Sequence, residues 1–154
     1  MKHASWIISI LLTIFVLSFS AQPASESGAL SSSIVASFVD WLEGLFPRWD
    51  IDVDLLHTLV RKGAHVASFV ILGASWIVSF HLRGIRFLPY ILLGIALSLI
   101  GEGIQWFAVG RGPSLIDSLV FNLPGYLLGG WMIDYLFYHR KTNRKVIEQN
   151  DLSL

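Results

Sequence analysis

The segment GEGIQWFAVGRGPSLIDSLVFN, residues 101–122, closes one long apolar run and opens the next. The flanking runs, 87–108 and 115–138, each approach the ~20 residues with which an α-helix crosses a bilayer. Two further runs, 4–20 and 64–80, bring the expected crossings to four. The composition agrees: of 154 residues, 54% are hydrophobic and 14% charged, with a mean hydropathy of +0.63, outside the range of ordinary soluble domains. Formal neutrality removes a basic face for nucleic acid. The absence of cysteine removes disulfides, thiolate metal sites and cysteine nucleophiles.

Basic residues orient the spans. Lys2 precedes the first, Arg83 and Arg86 separate the second and third, and Arg140, Lys141, Arg144 and Lys145 follow the fourth. By the positive-inside rule these face the cytoplasm, with both termini. Arg48, Arg61, Lys62 and Arg111 fall outside, beside Glu26, Asp40, Glu43, Asp50, Asp52 and Asp54. The expected organisation is a membrane domain, 1–139, and a cytoplasmic basic tail, 140–154. The first span also fits a cleaved signal peptide, since Ser18-Phe19-Ser20 before Ala21 supplies small residues at a cleavage point. Loss of that span leaves the orientation unchanged.

The outer loop, 21–63, begins rich in Ser, Gly and Pro and reads as irregular there. Ile34, Phe38, Trp41, Leu42 and Leu45 then recur at helical spacing, with Asp40 and Glu43 off the stripe. An amphipathic helix over about 33–46, ended near Pro47, is expected on the outer leaflet. A lid over a site beneath it is the second reading.

With this orientation the polar residues of the opening segment meet others at one depth. Lys62 and His65 mark the outer end of the second span, Glu102 and Gln105 that of the third, and Ser114, Asp117 and Asn122 the first turns of the fourth, with Arg111 between. Residues three apart share a helix face. A carboxylate below the interface needs a partner, and Lys62, His65 and Arg111 are at hand. Gly63, Ala67, Gly94, Ser98, Gly101, Gly125 and Gly129 permit close helix approach, the last two in GxxxG spacing. Pro124 removes a donor and frees the Val120 carbonyl.

Each residue also has a structural reading. Ser114 to Asp117 matches a capping box, Gln105 and Trp106 suit an interface belt, Lys62 can reach water, and Asn122 can join helices. Asp134, near the inner end of the fourth span, reads as an interface anchor. His65 and Glu102 have no such local explanation.

The stretches FSAQPASESGALS, RKGAHVASFVILG and GEGIQWFAVGRGPSLIDSLVFNLPG, in this order, resemble the VanZ family of bacterial membrane proteins over about 19–130. The matching positions are Ser20 and Gln22 after the first span, Arg61, Lys62 and His65, Glu102 and Gln105, then Arg111, Asp117, Asn122 and Gly125. The chain departs where the family commonly reads Glu-Tyr, carrying Ser68 and Phe69 instead. The resemblance implies a cell-envelope protein connected with resistance to teicoplanin, a lipid-bearing glycopeptide antibiotic, and favours an uncleaved first helix.

The sequence thus predicts an all-α polytopic membrane protein of four transmembrane helices and one interfacial helix. In the leading reading it is not an enzyme. Arg61, Lys62, Arg111 and protonated His65 hold an anionic group of a lipid, cell-wall precursor or lipoglycopeptide, and Glu102 and Asp117 orient the cations, with Gln105 and Asn122 alongside. No cofactor is called for, and Lys62 and Arg111 disfavour a metal at His65, Glu102 and Asp117. The competing reading is an intramembrane enzyme acting on envelope lipid, with His65 as base and Glu102 as acid, which lacks a nucleophile unless Ser68 serves. In the third, the polar residues only lock the helices together.

Overall fold

The computed structural model describes residues 2–45, 52–112 and 114–151, with side chains for all of these except 30–31, 42–43 and 138–151. Among them the chain is helical and contains no strand. Helix α1 spans Lys2–Ser20, α2 Ala24–Leu45, α3 Val53–His81, α4 Phe87–Gln105 and α5 the single turn Leu115–Asp117. A π-helical turn, Ser118–Asn122, leads into α6, Leu123–Asp151. Helices α1, α3 and α4 are long and apolar enough to cross a membrane.

Helix α3 is the centre of the bundle, packing along α6 on one side and against α1, α2 and α4 on others. Phe69, Leu72, Trp76, Tyr90 and Tyr126 form the core. Because lipid competes equally for apolar surface, helices in a bilayer hold together by close packing and polar contacts rather than by water exclusion. Both devices are present. A Cβ on Gly129 would collide with the Val70 carbonyl, and one on Gly73 with the Tyr126 carbonyl, so the α3 and α6 backbones touch through their glycines. Tyr90 stacks on Tyr126 at 4.6 Å and donates its hydroxyl to the Tyr126 carbonyl at 2.7 Å.

Helix α1 joins α3 through a polar seam. Ser9 Oγ lies 2.7 Å from Ser75 Oγ and 2.9 Å from Ser79 Oγ, and Trp76 Nε1 donates to Thr13 Oγ1 at 3.0 Å. The outward faces carry Ile7, Leu11, Ile14 and Phe15 on α1 and Leu92, Leu99 and Ile100 on α4, all exposed. Apolar cover of this extent is a membrane surface rather than an aqueous one.

Several expected boundaries are corrected. The stretch after the first span is not irregular: α2 starts at Ala24, not near 33, because Pro23 opens it, Glu26 sits in its first turn, and the Ala24 N–H is held by the Val109 carbonyl at 3.0 Å. Helix α3 begins at Val53, inside the expected outer segment 21–63, capped by Asp52, whose side chain accepts from the Leu55 N–H. Helix α4 stops at Gln105 rather than near 108, ahead of the turn at Gly110, whose φ of 77° suits glycine. The run 115–138 is not one α-helix, because Pro124 offers no N–H to Val120 and the turn before it widens to the π form. Helix α6 continues into the basic tail. The expected helix end near Pro47, with Arg48 and Asp50, lies outside the described residues, as do the side chains of Leu42, Glu43, Arg140, Lys141, Arg144 and Lys145.

Polar residues gather at two levels. At one end Lys62 Nζ meets Asp117 Oδ1 at 3.1 Å, and at the other His81 Nε2 meets Asp134 Oδ1 at 2.8 Å. Asp134 therefore has a partner on α3 and is more than an interface anchor, a pairing that a separation of 53 positions hides from the sequence. Along α3 the two levels are about 28 Å apart at 1.5 Å per residue. No Asp, Glu, Lys or Arg occurs in 63–80 or 118–133.

Candidate functional site

A cavity of about 490 Å³ opens at the Lys62 level. Arg61, Lys62, His65, Glu102, Gln105, Arg111, Asp117 and Asn122 all line it, together with Gln22. Ser20 does not line it; its side chain is fully buried beside Gly101, inside the α1–α4 packing.

Glu102 anchors the floor. Only 4% exposed, it accepts from Gln105 Nε2 and Asn122 Nδ2 at Oε1, both at 3.1 Å, and from the Ser114 N–H at Oε2, at 3.0 Å. The carboxylate thus ties α4 to the connector and to the π turn. Hydrogen bonds, rather than the expected cation, satisfy it. Glu102 and His65 line the same cavity without a mutual hydrogen bond.

The capping box between Ser114 and Asp117 forms by half. Ser114 Oγ accepts from the Asp117 N–H at 3.2 Å, but the Ser114 N–H, which the Asp117 carboxylate takes in a complete box, is held by Glu102. Asp117 is released to Lys62, whose ammonium also lies 4.5 Å from the Phe121 ring centre. Both members of the ion pair are more than a third exposed, so the pair contributes at most about 1 kcal/mol. It serves to place the cation. The π turn completes the arrangement: five positions along an α-helix put Asp117 and Asn122 ~140° apart, and the wider turn brings both round to the cavity.

Arg111 donates to the Phe19 carbonyl at the end of α1, at 3.2 Å. Burial and the neighbouring Arg61 guanidinium pull its pKa down, with Glu102 partly offsetting them. Like charges are therefore held close at the cavity mouth. The His65 ring lies against Phe69 at a tilt of 59°, with ring centres 5.4 Å apart, and its Nε2 is buried without a partner among the described residues, as is Asn122 Oδ1. Ser68 Oγ donates to the Ala64 carbonyl at 2.8 Å and not to His65.

Helix α2 supplies a wall through Ser27 and Ile34, which gives the lid reading a geometric footing while Phe38 and Trp41 stay exposed. Sequence reasoning missed Phe19, Ser27, Ile34, Val60 and Phe121 as lining residues. Phe121 stands four positions after Asp117, a spacing that could have placed it near the same cation; the others carry no local signal. Comparison with protein-family models, curated proteins and solved structures gives no match for this chain.

Proposed function

We propose that the chain is a VanZ-like multi-pass protein of the bacterial cell membrane, whose outer-leaflet cavity binds an anionic lipid, precursor or lipoglycopeptide group and so modulates susceptibility to teicoplanin-type antibiotics. One observation carries the reading: Arg61, Lys62 and Arg111, from α3 and the α4–α5 connector, line one cavity over a Glu102 whose charge is already satisfied by three donors. With Glu102 occupied and Asp117 shared with Lys62, the mouth keeps an excess of positive charge suited to phosphate or carboxylate.

Four crossings with both termini cytoplasmic are supported by the two polar levels. Their ~28 Å separation matches the ~30 Å hydrocarbon core. The segment from Asp117 to Asp134 follows α3 over that distance, which supports a fourth crossing. Lys2, Arg83 and Arg86 lie at the end away from the cavity; Arg83 reaches the Lys2 carbonyl at 3.5 Å and covers Trp6 at 4.6 Å. The cytoplasm on that side leaves the cavity outside. Helix α2, with its exposed stripe, then rests at the outer interface and walls the site at once. The α1–α3 seam supports a retained first helix, because its removal strips Ser75, Ser79 and Trp76 of their partners.

The intramembrane-enzyme reading has less support, since the Glu102 oxygens are engaged and Ser68 is turned to its own helix. A scaffold role accounts for Glu102, Asn122, the Lys62–Asp117 pair and the Arg111 contact with Phe19, but not for the gathering of Arg61 with these two cations around one cavity. Expression in a teicoplanin-sensitive Gram-positive host tests the proposal. Protection is expected from the wild type and is reduced in Lys62→Ala, Arg111→Ala and Glu102→Ala forms at equal abundance; equal protection by all of them removes the cavity from the account.

A further inference from the structure

The cations explain the mouth of the cavity but not its floor. His65 and Asn122 line it, and His65 Nε2 and Asn122 Oδ1 are both buried and unpartnered among the described residues. Buried polar atoms in folded proteins normally have partners, and these two differ from the five other unpartnered ones among the described residues in belonging to side chains that line a cavity, where a ligand can supply the partner. The Asn122 amide cannot turn over to hide its oxygen. Its Nδ2 donates to Glu102 Oε1, and the flipped form sets a carbonyl oxygen against a carboxylate. Asn122, fully buried, therefore presents an acceptor and requires a donor.

That donor is uncharged, because an ammonium group in the same cavity meets Arg61, Lys62 and Arg111. A hydroxyl fits both atoms: it donates its one hydrogen to Asn122 Oδ1 and accepts from His65 Nε2–H when the imidazole carries its proton there. We infer that the ligand is a phosphodiester whose headgroup carries a free hydroxyl, the glycerol-phosphate chemistry of phosphatidylglycerol, with phosphate at the cations and hydroxyl at His65 and Asn122. The inference rests on the anion-binding reading above and adds to it a second point of recognition. Phe19, Ile34, Val60 and Phe121 add apolar lining that a lipid-borne ligand uses and soluble glycerol phosphate does not. The cavity volume lies in the range of small-molecule sites.

The test titrates the full chain in detergent micelles with short-chain phosphatidylglycerol, with phosphatidylmethanol, which has the same charge and no hydroxyl, with phosphatidylcholine, and with glycerol 3-phosphate. Phosphatidylglycerol is expected to bind about tenfold more tightly than phosphatidylmethanol, the scale of one or two hydrogen bonds that the competitor leaves unmade. Glycerol 3-phosphate is expected to be weaker than phosphatidylglycerol; equal binding assigns the ligand to solution and overturns the lipid-borne form. His65→Phe keeps the aromatic contact and breaks no hydrogen bond seen among the described residues, so it should close the gap between the two anionic lipids to about twofold. Asn122→Ser is the second variant and should narrow the gap in the same direction. A gap unchanged in both variants, or absent in the wild type while both anionic lipids still outcompete phosphatidylcholine, overturns the hydroxyl site alone. No preference for either anionic lipid removes the anion site itself.

Discussion

Glu102→Gln changes one atom type in the side chain on which the cavity floor depends. The wild-type carboxylate receives three donors, two at Oε1 and one at Oε2; the Ser114 N–H cannot reverse its direction, whereas the Gln105 and Asn122 amides can turn over once the carboxylate is gone. A glutamine amide has a single acceptor oxygen. Its best placement gives that oxygen to the Ser114 N–H and points its NH2 at the Gln105 and Asn122 side chains, whose amides turn over to accept. All three hydrogen bonds then become neutral ones, each contributing about 1 kcal/mol less than a bond to a charged group. A total near 3 kcal/mol is about a hundredfold in the folding equilibrium and lowers the melting temperature by about 5–10 °C in a chain of this size. The change also reaches the mouth. With the Ser114 N–H held only by a neutral oxygen, the Asp117 carboxylate competes for it, completing its capping box at the expense of Lys62, so anion binding shifts along with stability. Thermal unfolding of the purified protein in detergent, followed by tryptophan fluorescence, reads the first effect. A Glu102→Gln variant that melts with the wild type refutes the claim that three donors converge on a charged carboxylate.

Two further predictions address the packing and the orientation. Gly129→Val drives a side chain into the Val70 carbonyl and should abolish accumulation of folded protein, whereas Gly63→Ala, which meets nothing within 4 Å, should be neutral or stabilise by about 1 kcal/mol; equal tolerance of both contradicts the close α3–α6 approach. The chain has no cysteine, so single cysteines report topology cleanly: Gln105→Cys should react with an impermeant maleimide on intact cells and Arg86→Cys only after permeabilisation, and the reverse pattern overturns the outward placement of the cavity.

Much of the site is legible in the sequence because hydropathy and charge constrain depth. Once 64–80 and 87–108 are antiparallel spans, Lys62, His65, Glu102 and Gln105 must share a level, and the i,i+3 spacings put each pair on one face. Partners are less accessible. The sequence offers Glu102 a cation, and the fold gives it the Ser114 backbone, because a connector folded back over a helix end brings N–H groups that no side-chain pattern records. The capping box is visible in Ser114 and Asp117, but its division between Glu102 and Lys62 depends on chain elements 12 and 55 positions away. The π turn is a response to Pro124 that only tertiary packing can settle. Helix α2 reads too short in the sequence, since its Ser- and Gly-rich start has weak intrinsic propensity, and a tertiary bond to Val109 fixes it.

The central claim is that Arg61, Lys62 and Arg111 create an anion site at one end of a helical membrane bundle. Its most direct measurement is the competition between phosphatidylglycerol and phosphatidylcholine for the purified protein, in the wild type and in a Lys62→Ala, Arg111→Ala double variant of equal folded yield. The wild type should favour the anionic lipid by at least about tenfold, as expected for charge-assisted contacts, and the double variant should favour neither. The same preference in both proteins contradicts the account.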